Sequence, residues 1–454
     1  MDITALVQAQ RDFFNSGYTQ DVEVRRAALI ALQAALRRHE ADIAAALQKD
    51  LGKGELEAYM TETGIVLEEL RLMLKKLNKW ARPKRVATPL ALFPGQSRIY
   101  PQPYGVTLII SPWNYPLQLC LMPLIGALAA GNTAIIKPSA YAPATSALVA
   151  RLIGETFQPE YVAVVEGGRA ENTALLNEKF DFIFFTGSTA VGKVVMEAAA
   201  KHLTPLVLEL GGKSPVLVAP DADMQAVARR VLFGKLINSG QTCVAPDYIL
   251  LPRGREEELI AAFRTAVAEQ LPQGLATADY PHIVSRKHYD RVCGLLECGQ
   301  IALGGGTDAA SLRIEPTLLT DVPPDSPLMQ EEIFGPLLPL IPYDSPEAAL
   351  EFIRNRPRPL ALYYFGGAGE LRERALQLPF GGGCVNDTIM HLANSRLPFG
   401  GIGASGLGCY HGRESFLTFS AKKGIYNKSN WLDLPMRYRP YTAEKLRLIR
   451  RFLR

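Results

Sequence analysis

Three polar side chains in separate segments have the types needed for chemistry at a carbonyl carbon. Cys243 lies in NSGQTCVAP, where small neighbours leave space beside a sulfur that would be nucleophilic as a thiolate. Glu209 closes the apolar stretch VLEL, where burial would raise its pKa towards that of a useful general base. Asn114 follows an apolar run in SPWNYP, and an amide at that place can donate a hydrogen bond to an oxyanion.

Each of these residues also has an ordinary structural interpretation. Most single cysteines are buried and inert, and Cys243 can be one of them. Glu209 can be an acid satisfied by neighbouring N–H groups or by a lysine. Asn114 stands beside proline in a turn-like segment. Glu332, in QEEIFGP, either faces a polar ligand or lies in a solvated loop. Residue context alone leaves these alternatives open.

A glycine-rich loop offers a second chemistry, the binding of phosphate. In residues 180–196, Gly187, Gly192 and Lys193 match G-x-x-x-x-G-K after an apolar run. A triphosphate loop needs Ser or Thr next, to hold magnesium, and Val194 stands there instead. The remaining interpretations are a strand-to-helix turn capped by Ser188 or Thr189, and a diphosphate grip without metal. A G-x-G-x-x-G match at 401–406 follows no strand and opens no helix, so we interpret it as a turned loop.

Composition describes an ordinary globular protein. The 454 residues include 48% hydrophobic and 21% charged types, with a net charge of +4, which does not favour nucleic acid as a partner. Six cysteines and six histidines lack the spacing of metal ligands, so no metal site is predicted. Reduced thiols and the absence of a signal-peptide pattern favour a cytoplasmic location.

Alternating apolar runs and helical segments predict an α/β fold with parallel sheets. Two α/β domains are expected, with a junction near residue 212. Helices are predicted over 21–50 and from Glu55 to Trp80, and residues 83–104 are predicted to form a connector or an extended hairpin. Lys137 ends a predicted strand, and ligands of open parallel sheets bind at that edge.

The C-terminal segment 443–454 has a basic amphipathic pattern. Leu446, Ile449 and Leu453 fall on one helical face, with Leu448 and Phe452 beside them and basic residues elsewhere. Such a helix can contact anionic lipid, or it can pack on its own fold or on a partner subunit.

Taken together, the motifs resemble those of the aldehyde dehydrogenase superfamily. SPWNYP, IIKPS, FTGSTAVG, LELGGKSP, NSGQTCVAP, QEEIFGP and LPFGGIGASG occur in that order between residues 111 and 406. The stretches AAAKHLTP and YHGRESF are most similar to the class 3 branch, which includes fatty and aromatic aldehyde dehydrogenases. The resemblance implies two Rossmann-like domains, for cofactor and catalysis, and a small β bridging element for oligomerisation.

This resemblance also implies catalytic roles. Cys243 would attack the aldehyde carbon, and the Asn114 side chain with the Cys243 backbone N–H would hold the oxyanion. After oxidation by NAD or NADP, Glu209 would activate the water that hydrolyses the thioester. A relative that transfers the acyl group to coenzyme A would not need this base. A P-loop phosphotransferase is disfavoured by Val194, and a non-catalytic scaffold by the joint presence of the three catalytic residues.

Cofactor contacts are implied in the same way. The residues expected to bind the dinucleotide are Trp113, Lys137, Gly187, Ser188, Gly192, Glu332 and Phe334. Lys137 would bond ribose hydroxyls, and Gly187 and Gly192 would permit close approach to the phosphates. One position departs from the family pattern, because Ala140 stands where many members have a glutamate that bonds the adenosine ribose. We therefore expect NADP to be accepted, beside NAD.

The branch further implies the organisation of the chain. Residues 1–82 and 105–212 would form the NAD(P)-binding domain and 213–425 the catalytic domain, with 83–104 and 426–454 as the bridging element of a homodimer. The protein would be cytoplasmic, with a peripheral membrane contact through the 443–454 helix as a further expectation. We expect Tyr115, Leu117, Met122, His391 and Phe399 to line the aldehyde funnel.

Overall fold

The computed structural model describes residues 2–452. Its helices are α1 Ile3–Asn15, α2 Val22–Arg38, α3 Glu40–Leu51, α4 Glu55–Ala58, α5 Gly64–Ala81, α6 Gln118–Ala130, α7 Pro143–Thr156, α8 Arg169–Asn177, α9 Thr189–Ala200, α10 Met224–Leu236, α11 Glu256–Gln270, α12 Arg286–Gly294, α13 Pro327–Gln330, α14 Pro346–Arg354, α15 Glu370–Leu376, α16 Arg413–Thr418 and α17 Ala443–Phe452.

The strands alternate with these helices through most of the chain. They are β1 Lys84–Val86, β2 Gly95–Pro103, β3 Val106–Ile110, β4 Thr133–Lys137, β5 Val162–Val164, β6 Phe182–Thr186, β7 Leu206–Glu209, β8 Pro215–Val218, β9 Tyr248–Pro252, β10 Gln300–Leu303, β11 Thr307–Asp308, β12 Arg313–Ile314, β13 Thr317–Thr320, β14 Leu337–Tyr343, β15 Ala361–Phe365, β16 Gly382–Val385, β17 Gly406–Leu407 and β18 Ser420–Lys428.

The first sheet has the strand order β17-β7-β6-β3-β4-β5. Strands β3 to β7 are parallel, and every residue of β3, β4 and β6 is buried, as expected for a sheet covered by helices on both faces. α6 packs among these helices and is buried throughout its length, which explains its uniformly apolar sequence. The carboxyl ends of the parallel strands therefore meet along one edge.

The second sheet has the order β10-β13-β14-β9-β8-β15-β16 and is parallel except for its edge strand β10. Strand β14 was not predicted, since Pro339 and Pro342 argue against a central strand. Leu337, Leu338, Leu340 and Tyr343 of this strand are buried, and that burial places the segment between β13 and β9.

The third sheet is antiparallel and joins two distant parts of the sequence. β2 pairs with β1, confirming a hairpin within 83–104, and pairs along its whole length with β18. Before reaching β18 the chain returns to the first sheet. Gly406 pairs with Glu209, and Phe416 and Phe419 are fully buried against that sheet's core. The predicted catalytic range 213–425 thus includes residues that pack on the first sheet.

Two helix predictions need correction. Residues 21–50 form two helices, because the backbone leaves helical geometry at His39, whose ring nitrogens contact Asp42 and Glu155 at 3.1 and 3.0 Å. The helix predicted from Glu55 is interrupted by a π-helical turn at Tyr59–Thr63 before α5 begins. Both interruptions lie where side chains are directed to distant partners.

The C-terminal helix forms as α17, on the exterior of the protein. Leu446 and Leu448 are exposed, and Ile449 lines an apolar groove with Leu92 and Phe93. Leu453, the third residue of the predicted apolar face, lies outside the described residues. Across residues 2–452, none of the helices combines the length and the apolar character needed to span a bilayer.

Candidate active site

The nucleophile candidate lies on a tightly constrained loop between α10 and β9. Asn238 and Ser239 have φ values of 50° and 54°, and a Cβ at Gly240 (φ 74°) would overlap the Gly335 carbonyl oxygen. The Gln241 side chain fixes this loop by donating to Asn238 O and His282 O, both at 3.0 Å, and accepting from Val284 N at 2.9 Å. Backbone strain held by such contacts is typical of functional sites.

Cys243 is partly exposed and faces an apolar cavity. Tyr115, Leu119, Phe233 and Phe399 are among the side chains that line this cavity. Of the predicted funnel residues, Tyr115 and Phe399 are therefore in place. Met122 instead lines an adjoining cavity, and Leu117 is fully buried in the first core.

The candidate oxyanion donor is tied directly to the Cys243 loop. Asn114 is buried, and its Nδ2 donates to the carbonyl oxygen of Gln241 at 3.1 Å, two residues before the thiol. An asparagine amide has two N–H groups, so the second can donate to an oxyanion that forms on a substrate at Cys243.

The candidate base is a carboxyl group removed from water. Glu209 ends β7 between Thr186 of β6 and Gly406 of β17, and its backbone carbonyl accepts from Gly187 N at 2.9 Å. Within residues 2–452 neither carboxyl oxygen has a hydrogen-bond partner, and the residue is 2% exposed. Burial alone raises the pKa of Glu209 well above its ordinary value.

Burial and two nearby carboxyl groups raise the pKa of the Cys243 thiol. Burial is the largest cause that raises the pKa of Cys243, and the nearby carboxyls of Glu332 and Glu209 raise it further. The backbone N–H groups of Cys243 and Val244 act in the opposite direction by hydrogen bonding to the sulfur. Burial likewise raises the pKa of Glu332 to about 8, with Asp247 as the next cause. The thiol and both carboxyls thus share one poorly solvated centre.

Residues predicted to hold a dinucleotide lie at the carboxyl edge of the first sheet. Lys137 ends β4, and its ammonium donates to Pro138 O and Gly167 O, both at 2.7 Å. Burial lowers the pKa of this lysine. Ala140 follows in an exposed turn. A cation and an open turn at this edge suit the ribose end of a dinucleotide.

The glycine loop between β6 and α9 leads directly into the first turn of α9, which packs closely against Leu210. Ser188 caps α9 by accepting from Val191 N, and a Cβ at Gly192 would lie 2.8 Å from Leu210 Cδ2. Lys193 is exposed on the helix. Both the capping interpretation and the diphosphate interpretation fit this geometry, since a free helix N-terminus attracts phosphate.

Aromatic residues connect the two large sheets at the same edge. The Trp113 ring makes edge contacts with Phe334 and His288, at centroid distances of 5.3 and 5.1 Å. Phe334 has a φ of 49°, and Glu332 approaches Gly211 so closely that a Cβ on this glycine would overlap the carboxyl group. His288 was not singled out in the sequence, because a lone histidine in a helix gives no signal.

Three features of this edge fit a nicotinamide dinucleotide lying across it. They are the Glu209 carboxyl, which has no hydrogen-bond partner within residues 2–452, the capped start of α9, and Gly211. Trp113, Lys137, Ser188 and Glu332 are the side chains that would hold it. In the part of the chain that the structure describes, no cluster of three or more His, Cys, Asp or Glu side chains could bind a metal ion.

Comparison with known proteins decides the family. The family model described as the aldehyde dehydrogenase family matches residues 1–425. The chain belongs to this family. It therefore uses NAD or NADP to oxidise aldehydes to carboxylic acids, and the cysteine thioester is the intermediate general to such enzymes. The predicted fold class and reaction are confirmed.

Relatives match over nearly the full length. The chain is 48% identical to a 4,4'-diaponeurosporen-aldehyde dehydrogenase of Staphylococcus aureus, covering 97% of both chains. It is 45% identical to aldehyde dehydrogenase family 3 member H1 of Arabidopsis thaliana, covering 98% of this chain and 93% of the relative.

Solved structures give the same answer. A substrate-bound Staphylococcus aureus AldH is similar with a TM-score of 0.98 and 47% identity, covering 100% of both chains. A Mycobacterium tuberculosis aldehyde dehydrogenase complexed with NAD+ has a TM-score of 0.84 and 29% identity, covering 92% of this chain and 88% of that one.

The raised pKa of Cys243 predicts a pH-dependent alkylation rate in the cofactor-free protein. A thiol whose pKa lies above the usual value of about 8.5 is almost fully protonated between pH 6 and 8, so iodoacetamide should react about tenfold faster for each pH unit in that range. The Glu332→Gln variant removes a carboxylate that is ionised above its pKa of about 8, and should react faster at pH 9.

Peptide mass spectrometry isolates the Cys243 signal from the other cysteines, and Cys243→Ala provides the blank. A rate that is already constant between pH 6 and 8 would contradict the raised pKa.

Proposed function

We propose that Cys243 is the nucleophile, Asn114 the oxyanion donor and Glu209 the general base of aldehyde oxidation in this protein. The observation that carries the assignment is the buried carboxyl of Glu209, which has no hydrogen-bond partner within residues 2–452 and raises the pKa of the Cys243 thiol. A carboxyl group in that condition has a high proton affinity, as a general base for water requires.

The first half of the reaction joins the thiol to the aldehyde. Cys243 releases its proton to solvent and its sulfur bonds to the carbonyl carbon. The carbon–oxygen π bond opens, and the resulting oxyanion receives hydrogen bonds from Asn114 Nδ2 and the Cys243 backbone N–H. The cofactor, when bound, supplies a nicotinamide that accepts the hydride from that carbon. The protein is left as a thioester of Cys243.

The second half returns the enzyme to its starting state. Glu209 accepts a proton from water, whose oxygen bonds to the thioester carbon, and the carbon–sulfur bond then breaks. The products are a carboxylate and the free Cys243 sulfur. Because the thiolate is a good leaving group, one difficult step is divided into two easier ones.

The cavity beside Cys243 indicates the kind of aldehyde. Its walls are mainly apolar side chains, including Leu119, Phe233, Ile237 and Phe399, with few polar groups to bind a sugar-like or charged substrate. We propose aliphatic or aromatic aldehydes as substrates. The relative from Staphylococcus aureus is named a 4,4'-diaponeurosporen-aldehyde dehydrogenase, which supports an aldehyde as the substrate.

The assignment predicts distinct behaviour for two variants in an assay of reduced-nicotinamide absorbance with a panel of aliphatic and aromatic aldehydes. Cys243→Ala should abolish aldehyde-dependent reduction. Glu209→Gln should still form the thioester, so it should give a burst of about one reduced cofactor per active site, followed by turnover at least a hundredfold slower than wild type.

Two results would count against these roles. A Glu209→Gln enzyme with wild-type steady-state turnover would remove the general-base assignment. Full turnover that requires coenzyme A in the wild type would show acyl transfer instead of hydrolysis.

We propose that Ala140 allows NADP to be used beside NAD. Its side chain carries no charge and lies in an exposed turn three residues after Lys137. A carboxylate at this position would repel the 2′-phosphate of NADP and would bond the free ribose hydroxyls of NAD.

The Ala140→Glu variant should therefore lower kcat/KM for NADP at least tenfold and change the value for NAD by less than threefold. Ala140→Gln, of similar size and without charge, is the matched control and should retain NADP use. The idea fails if the wild-type enzyme already uses NADP a hundredfold less efficiently than NAD, a difference of about 2.7 kcal/mol.

We also propose which parts of the chain bind the cofactor, carry the nucleophile and form the dimer. Residues 1–82 and 105–212 would bind the cofactor and 213–425 would carry the nucleophile, with 406–419 structurally part of the first unit. We propose that the β1-β2-β18 sheet with the tail mediates a cytoplasmic homodimer. In support, β18 pairs with β2 on one edge, no strand of residues 2–452 pairs with its other edge, and Ile425 and Tyr426 are exposed.

A peripheral membrane contact through α17 completes this proposal. Lys445 is half-buried, and Arg447, Arg450 and Arg451 are exposed beside Leu446 and Leu448, which suits an anionic surface. Truncation after Tyr441 removes α17 and keeps β18. It should abolish co-sedimentation with anionic vesicles, while light scattering should still show a dimer, held by the β1-β2-β18 sheet and the part of the tail that remains. Equal vesicle binding of the full and truncated chains would remove the membrane contact, and a monomeric full chain would remove the dimer.

A further inference from the structure

A cluster of buried polar side chains contacts the main-chain carbonyl oxygen of Asn114. The Lys53 ammonium donates to the Glu62 carboxylate at 2.7 Å and to the Asn114 carbonyl oxygen at 3.1 Å. The Asn238 side chain donates to the same carbonyl oxygen at 2.8 Å. Lys53, Glu62 and Asn238 are each 0% exposed.

Glu62 owes its position to the π-helical turn at Tyr59–Thr63. Its second carboxyl oxygen accepts from the backbone N–H groups of Leu117 and Gln118, at 3.1 and 2.9 Å, where α6 begins. One carboxylate thus binds the Lys53 ammonium and the start of the helix that follows Asn114. π-helical turns occur frequently at functional sites.

The cluster also reaches the loop that carries Cys243. Asn238 Nδ2 donates to Gln241 O at 3.1 Å, the same carbonyl that accepts from Asn114 Nδ2. The Lys53 ammonium lies 4.0 Å from the centre of the Tyr115 ring, and the Tyr115 hydroxyl bonds the Thr242 hydroxyl beside the nucleophile. The segment 53–62 is therefore connected to both sides of the reacting centre.

Stability alone is a poor explanation for such a cluster. Removing two ions from water costs free energy that their attraction often fails to recover, so a buried ion pair is weak evidence for stabilisation. These contacts instead fix the position of the Asn114 peptide group. Two donors fix the Asn114 carbonyl, and this orients the peptide and directs the side-chain amide towards Gln241 and the thiol.

We propose that Lys53, Glu62 and Asn238 are positioning residues that hold the Asn114 amide where it can donate to the oxyanion. The inference rests on the proposed role of Asn114. None of the three needs to touch the substrate, since they act through the Asn114 main chain and the Gln241 carbonyl.

The test is a double-mutant cycle on kcat/KM for aldehyde oxidation. The Lys53→Met/Glu62→Gln enzyme removes both charges together and avoids leaving one ion buried alone. It should lose about a hundredfold in kcat/KM, as expected when one oxyanion donor is displaced. In an Asn114→Ala background the same pair of changes should cost less than about threefold, because the group that they position is already gone.

Arg25→Met is the matched control. Arg25 is another buried cation, and its guanidinium contacts the opposite end of α6 through Ala129 O at 3.4 Å, with Thr19 O at 2.7 Å. Because this variant removes a buried cation, it should lower the midpoint temperature of thermal unfolding. Its kcat/KM should change by less than twofold.

Asn238→Asp provides a second, independent variant should the paired change prevent folding. It replaces a donor with an acceptor opposite the Asn114 and Gln241 carbonyl oxygens, and it should give the same loss and the same lack of additivity with Asn114→Ala. NAD binding, followed by protein fluorescence, should stay within threefold of wild type in every variant.

The outcomes separate this inference from the proposed function. The positioning role would be overturned if these changes lowered kcat/KM by the same factor with and without Asn114→Ala. It would also be overturned if Asn238→Asp had the kcat/KM of the wild type. Aldehyde oxidation itself would remain established in both cases. An Asn114→Ala enzyme with unchanged kcat/KM would overturn both the oxyanion assignment and this inference. A wild-type enzyme without aldehyde-dependent reduction would overturn the proposed function itself.

Discussion

The removal of the Glu209 carboxyl from water is the constraint on which the site depends. Among the residues that the structure describes, none forms a hydrogen bond with this buried carboxyl, so its charged form is unfavourable and its pKa is raised. The backbone at Glu209 pairs with β6 on one side and with β17 on the other, so the residue lies inside the sheet and is 2% exposed. The position thereby keeps a carboxyl group of raised pKa whose charge, after burial and Glu332, also raises the pKa of the Cys243 thiol.

This constraint explains why the chain returns to its first sheet so late in the sequence. Gly406 pairs with Glu209, and the segment that follows it buries Phe416 and Phe419 against the first core. Without that return the open edge of β7 would admit water to Glu209. The late glycine motif resembles a dinucleotide fingerprint in its spacing alone, and it instead supplies the close backbone approach by which Gly406 pairs with Glu209. Its Gly406 has a φ of 154°, suited to glycine.

The sequence predicted the fold class and the reaction well, because both leave local signals. Parallel sheets appear as alternating apolar runs, and the residues before and after Cys243 and Glu209 carry recognisable motifs. The roles of these particular residues stay predictions, although the structure brings Cys243, Glu209 and Asn114 to one centre. What the sequence could not show are contacts between distant residues. Lys53, between two predicted helices, and Glu62, in the second of them, look like surface charges, and only the tertiary fold buries them.

The same reasoning explains why β14 was missed and why the positioning cluster was invisible. In both cases a local rule, proline against strands or charge towards solvent, is overridden by burial between distant segments. Local patterns report average preferences, and a functional centre departs from them where several segments converge. The Asn114 carbonyl is such a point of convergence. Segments 53–62, 114–118 and 238–241 meet there, and the orientation of the Asn114 amide, the proposed oxyanion donor, is a property of all three.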